Sequence, residues 1–214
     1  MSVQPNLSLS SIGVIALTLF LNSCVAHVEP NVGNSRANLE PQSAPQFSKE
    51  AIQSLYIQAE MVDATCGLMT QSAFQDEVLR LVNALRAQDQ ICGSQLVPAS
   101  SPLVWNSLLQ SAAMGHAAQM AATNLFSHTS FDGREVTQRV AATGYRYERL
   151  SENIAAGKID LATVIDKWLK SPTHCIQMLD PRLTELGVAC VAKESAFYRR
   201  YWTMNLGRPI QTKQ

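Results

Sequence analysis

The chain of 214 residues has no excess of charge of either sign: 17 lysines and arginines stand against 17 aspartates and glutamates, with no extended Lys/Arg cluster. Without a basic patch there is no electrostatic footprint for a phosphate backbone, so nucleic acid is excluded as a partner. Long hydrophobic runs are missing too. The main apolar stretch, Ile12 to Leu21, has 10 residues; as a helix it would rise about 15 Å, half of a hydrocarbon core about 30 Å thick, which disfavours a transmembrane anchor. No Gly-x-Ser-x-Gly segment occurs, which removes the strand-turn-helix elbow that exposes a nucleophilic serine in the α/β-hydrolases. Cysteine is scarce and odd in number, at five, so an intrachain disulfide set must leave one thiol over. What is present, 46% hydrophobic residues, is too much for a disordered chain.

Between Met1 and Val28 no side chain is charged at neutral pH. Together with the short apolar run this predicts a secretory signal over residues 1–26. Two cleavage sites compete. Leu21-Asn22-Ser23-Cys24 resembles a bacterial lipoprotein signal, in which Cys24 would be lipidated and begin the mature chain, and this is the preferred reading. Cys24-Val25-Ala26 offers small residues to an ordinary signal peptidase. Both remove Cys24 from the folded domain and leave Cys66, Cys92, Cys175 and Cys190, an even set suited to an oxidising compartment. Export to the periplasm or cell surface is expected, with a lipid anchor in the outer membrane. Residues 27–48, with Pro30, Pro41 and Pro45 among Asn, Ser and Gln, have the composition of a flexible linker.

Helical periodicity then begins. Ile52, Leu55, Tyr56 and Ala59 predict a helical extension over 49–72, and Phe74, Val78, Leu81, Val82 and Leu85 form one stripe of an amphipathic helix ending near Gln88. A second helix is expected from about Pro102 to Asn124, with Trp105, Leu109, Ala112, His116 and Met120 on one face. Shorter helices are expected over Arg134–Thr143 and Leu161–Lys170. The period changes at Thr184–Ala192, where Leu186, Val188 and Cys190 alternate, and Phe197–Leu206 is rich in aromatic and β-branched residues; an antiparallel pair of strands is predicted. Helices gathered before a small antiparallel sheet indicate an α+β layered domain.

Nine fragments in register resemble one family. They include Val82-Asn83-Ala84-Leu85-Arg86, Leu103-Val104-Trp105-Asn106, Asn124 to His128, Ser151-Glu152-Asn153-Ile154-Ala155, Trp168 to His174, Glu185 to Cys190 and Tyr201-Trp202-Thr203. Together they are similar to a bacterial CAP (SCP-like) domain, of the superfamily of cysteine-rich secretory, venom-allergen and plant pathogenesis-related proteins. The resemblance spans about residues 78–209, within a domain expected at 73–209 and followed by a tail at 210–214. It implies a three-layer α-β-α sandwich with a central antiparallel sheet and a cleft lined by a His/Glu tetrad. Three tetrad positions map to His128, Glu152 and His174. The fourth, a glutamate three residues after the helix tryptophan in eukaryotic relatives, is Ser171 here.

Two imidazoles and a carboxylate in one cleft can ligate a divalent ion such as zinc with room left for water. Their separations, 24 and 22 residues, carry no metal signal by themselves, and a hydrogen-bonded polar cluster is the competing account. Cys175, beside His174, is read as a disulfide partner rather than a thiol nucleophile, because adjacent helical residues point about 100° apart. Four cysteines allow three connectivities; Cys175–Cys190, closing a 15-residue separation worth about 3 kcal/mol, is preferred, leaving Cys66–Cys92. His116 is expected as a satisfied core histidine, with support of His128 as its functional alternative. The three tryptophans are assigned to the core, and Arg199 and Arg200 to a solvated sheet edge.

The function that these residues suggest is an exported binding module of the cell envelope, taking a lipid or peptidoglycan fragment at the His/Glu cleft and held at the membrane by its N-terminal lipid. A non-enzymatic role is favoured. The rivals are a metal-assisted hydrolase with His128 and His174 as ligands and Glu152 as ligand or general base, and a structural or interaction protein. Oligomeric state is not legible.

Overall fold

The computed structural model describes residues 65–211. The signal segment, Cys24, the linker and most of the helical extension lie outside the described residues, as do 212–214.

Helix α1, Gln71–Arg86, starts where the Thr70 hydroxyl accepts the Ala73 N–H, and buries Phe74, Val78 and Val82. A small antiparallel hairpin, β1 (Gln90–Cys92) and β2 (Gln95–Val97), follows. Strand β3, Val104–Trp105, leads into helix α2, Ser107–Thr123. This helix starts later than its apolar pattern suggests. Val104 and Trp105 pair with Glu185 and Leu186, and Asn106, in extended conformation, accepts the N–H groups of Leu108 and Leu109, satisfying two donors that a helix N-terminus leaves orphaned. Trp105 therefore belongs to a strand and is only half-buried, unlike Trp168 and Trp202 in the core.

After helix α3 (Val136–Ala142) comes strand β4 (Tyr147–Ala156), a segment to which periodicity assigns no element. Helices α4 (Leu161–Lys170) and α5 (Pro172–Leu179) precede strands β5 (Glu185–Ala192) and β6 (Arg200–Pro209). The sheet order is β3-β5-β6-β4. It is antiparallel except for the short β3 segment, which runs parallel to β5. The fold is α+β, with helices on both faces of the sheet. Phe74, Val78, Trp168 and Met178 pack with Trp202, Met204 and Leu206 on one face, while Ala113, Ala117 and Met120 of α2 pack with Ala189, Ile154 and Tyr201 on the other.

Helix α2 lies unusually close to the sheet. A Cβ at Gly187 would overlap the backbone of Leu109 and Gln110, so only glycine fits this crossing. Its cross-strand neighbour Asn205 donates from Nδ2 to the Leu109 carbonyl at 3.2 Å. On the other side, buried Arg86 donates to the carbonyls of Ser101, Met178, Asp180 and Leu183. One guanidinium thus ties α1 to the α5–β5 connection.

The disulfides are Cys66–Cys190 and Cys92–Cys175, with Cα–Cα distances of 5.1 and 5.5 Å. This corrects the expected Cys175–Cys190 and Cys66–Cys92 pairing. Cys190 lies on the central strand β5 beside Thr65, with the Cys66 N–H donating to its carbonyl, whereas Cys175 faces the β1–β2 hairpin from α5. Proximity along the chain is overridden because α5 and β5 occupy different layers. The actual bridges span separations of 124 and 83 residues, each worth about 4–5 kcal/mol in the chain-entropy model when taken singly.

Candidate functional site

The site is organised around Glu152, whose side chain is 2% exposed. Successive strand residues face opposite sides of a sheet, and β4 uses this to serve two layers. Glu152 meets the α2–α3 loop and α3, while Asn153 donates from Nδ2 to the His174 carbonyl of α5 at 3.1 Å. Both oxygens of the Glu152 carboxylate are taken: Oε1 accepts from His128 Nδ1 at 2.8 Å, and Oε2 accepts from Arg139 at 2.6 Å. Arg139, itself buried, also donates to the carbonyls of His128 and Arg134 and to the Ser130 hydroxyl.

His116 completes the network from α2. Its Nε2 lies 2.9 Å from the Ser127 carbonyl and its Nδ1 3.0 Å from the Ser130 hydroxyl. A carbonyl only accepts, so the proton sits on Nε2, and Nδ1 accepts from Ser130. The core reading of His116 holds, and the residue also fastens both ends of the short loop that carries His128. Its two candidate roles are therefore the same contact.

Burial pushes the Glu152 carboxyl upward, yet the His128 hydrogen bond and the charges and bond donated around it outweigh burial and hold it below its ordinary value. Burial is also the main force on His116, driving it down to about 4. His116 is therefore neutral at neutral pH, and the Arg139 guanidinium supplies the charge that keeps Glu152 ionised. His174 is lowered by burial and then by the field of His128.

His128 and His174 are disposed differently. The His128 side chain is 54% exposed, with one ring nitrogen fixed by Glu152. His174 is half-buried, and its Nδ1 lies 2.8 Å from the Ser171 hydroxyl. Ser171 thus orients the last histidine through an uncharged group.

The surroundings of Glu152 are unfavourable to a divalent ion. Among the described residues no group of three or more His, Cys, Asp or Glu side chains is gathered to hold a metal; of the expected zinc set, His128 and Glu152 meet at 2.8 Å, while His174 bonds to Ser171. The obstacle at Glu152 is Arg139. With a guanidinium 2.6 Å from Glu152, the carboxylate is already neutralised, and a cation placed there would meet a buried positive charge. Cys175 is consumed in a disulfide and is no nucleophile. Sequence reasoning missed Arg139 and Ser130. A buried glutamate does call for a counter-charge, but nothing along the chain distinguishes Arg139 from the other arginines.

Comparison with known proteins bears on the family and the fold. The family model described as "Cysteine-rich secretory protein family" matches residues 79–206. Two Bacillus subtilis (strain 168) proteins are each 26% identical: the uncharacterized membrane protein YlbC over 135 residues, 63% of this chain and 34% of that one, and the uncharacterized protein YkwD over 130 residues, 61% of this chain and 47% of that one. The chain thus spans less than half the length of these curated relatives. Among solved structures, an outer surface protein from Borrelia burgdorferi superposes with a TM-score of 0.52 at 18% identity, covering 65% of this chain and 92% of that one. That likeness concerns the fold alone. No helix among the described residues is long and apolar enough to cross a membrane. With the family model covering more than half of its length, the chain belongs to the cysteine-rich secretory protein (CAP) family.

Proposed function

We propose that this protein is an exported binding module of the cell envelope, and that its cleft takes a peptidoglycan fragment through His128 and His174. The observation that carries the reading is the saturation of Glu152. A carboxylate bonded on both oxygens and paired with buried Arg139 is built to hold an imidazole still. It is poorly placed to ligate a metal or to shuttle protons. Because His128 Nδ1 donates to Glu152, the neutral ring offers Nε2 as an acceptor, suited to a hydroxyl or amide N–H of a sugar or peptide. An acyl chain offers neither donor. Export accords with the two disulfides, which persist in oxidising compartments, and with the outer surface protein that shares the fold. Anchoring through lipidated Cys24 is part of the same proposal.

The test is calorimetric titration of the purified protein with soluble muropeptides, alongside a vesicle-binding control and a chromatographic assay for turnover. Saturable binding that His128→Ala weakens about tenfold, the equivalent of one 1.4 kcal/mol contact, with no product formed, is expected. Equal affinity in His128→Ala would refute the role of the cleft. Chelator-sensitive turnover abolished by Glu152→Ala would refute the binding-module reading.

A further inference from the structure

Two loops, one of them the α2–α3 loop that also carries His128, meet and expose an apolar tip. From the α2–α3 loop come Leu125 and Phe126, 42% and 43% exposed; from the β5–β6 connection come Phe197 and Tyr198, 79% and 37% exposed. The rings pack edge to face, with centroids 5.8 Å apart for Phe126–Tyr198, 4.8 Å for Phe197–Tyr198 and 5.9 Å for Tyr198–Tyr201. This leaves Phe197 projecting from a supported base.

The tip is rigidly built. Asn124, in left-handed conformation at the end of α2, accepts at Oδ1 from the Phe197 N–H at 2.7 Å and from the Tyr201 hydroxyl at 3.2 Å, so one amide clamps both loops. The β5–β6 connection is closed by bonds from the Lys193 N–H to the Arg199 carbonyl and from the Ala196 N–H to the Lys193 carbonyl, with Ala196 buried as its anchor. Arg199 adopts φ 66° to complete the turn, a costly conformation for a residue other than glycine. An exposed aromatic group held this firmly is a surface for contact.

We propose that this tip docks the protein on an anionic lipid bilayer. Leu125, Phe126 and Phe197 carry no group that could hydrogen-bond a sugar or a polypeptide backbone, and hydrocarbon is the environment that asks for none. Tyr198 supplies a ring with one polar end, suited to the headgroup boundary. The rim matches in charge. Lys158, Lys193 and Arg199 are exposed, and Arg200 donates to the Ile159 carbonyl beside Lys158. Glu194, 3.9 Å from Arg199, and Asp160, which caps α4, oppose them, leaving a cationic balance around an apolar centre. The proposal is independent of what the His128 cleft binds.

The test places a reporter at the tip of the full chain. Phe197→Trp, and separately Phe126→Trp from the other loop, would be mixed with phosphatidylcholine–phosphatidylglycerol vesicles whose acyl chains carry bromine, a contact quencher. Trp168 and Trp202 are buried and Trp105 is half-buried; the emission of all three is subtracted using the unsubstituted protein. However the N-terminus is attached, a tryptophan at the tip is quenched only if the tip reaches the acyl region. The added emission is expected to fall by about two-fold or more in both variants, and to recover in pure phosphatidylcholine vesicles or on adding Lys193→Glu and Arg199→Glu. Unchanged emission in the brominated anionic vesicles overturns the proposal. So does a blue shift that grows with protein concentration in the absence of lipid, which would assign the tip to a second copy of the chain.

Discussion

Acid should loosen this protein through His116 before it reaches the carboxylates. In the unfolded chain that histidine titrates at its ordinary value of 6.5; in the fold, burial lowers it to about 4. The unfolded state therefore binds more protons at this position, so the stability that neutral His116 protects is fully present above the unfolded value and is lost as pH falls towards the folded one. The difference, 6.5 to about 4, at about 1.36 kcal/mol per unit, amounts to about 3 kcal/mol, with about 2 kcal/mol of it gone by pH 5. The structural cause is burial of the ring, reinforced by the positive charge of Arg139 and outweighing the Glu152 carboxylate and the Ser127 carbonyl bond, which act the other way. A second proton at Nδ1 would displace the Ser130 hydrogen and face Arg139. Urea unfolding with disulfides intact, followed by tryptophan emission from pH 7.5 to pH 4.5, should show midpoints falling across this window at constant m-value. In His116→Gln, which keeps a donor and an acceptor but cannot ionise, most of that fall should vanish. His174 is lowered in the same direction, and His174→Ala separates its share. Equal pH dependence in the wild type and His116→Gln would refute the reasoning.

Three further outcomes follow from the packing. Arg139→Met strips the counter-charge from a glutamate 2% exposed, so stability should fall by about 3–5 kcal/mol at neutral pH, and carbon-detected NMR titration should show Glu152 rising from its depressed value. Gly187→Ala forces a methyl into the backbone of α2 and should cost about 3 kcal/mol or more in chemical unfolding, although alanine suits a strand better than glycine. Non-reducing peptide mapping should recover Cys66 with Cys190 and Cys92 with Cys175, and Cys92→Ala/Cys175→Ala should lower stability by about 2–5 kcal/mol.

Local order and global placement were legible to different degrees. Helix α4 coincides with its periodic segment because Leu161, Val164, Ile165 and Trp168 form a stripe facing the core. Helix α1 and the β5–β6 pair are equally plain. Strand β4 is hidden, because its residues serve different partners on each face and so do not alternate simply. Ser151 is half-buried, Glu152 and Asn153 are buried polar groups, and Ile154 is apolar core. Family resemblance nonetheless marked Glu152 on it, together with His128 and His174. The start of α2 was misplaced because an apolar pattern cannot show that Asn106, rather than Pro102, caps the first turn.

The amino-acid order alone determined that the chain carries an α+β domain of this family, with four cysteines for the fold. Those features are encoded locally, in stripes, caps and short motifs that survive without knowing what packs on what. Only the tertiary structure decided which cysteines pair and that Arg139 pairs with Glu152. These outcomes depend on distances between residues far apart in the chain. A buried charge is satisfied by whichever partner the packed layers bring to it, and no spacing along the sequence records that choice.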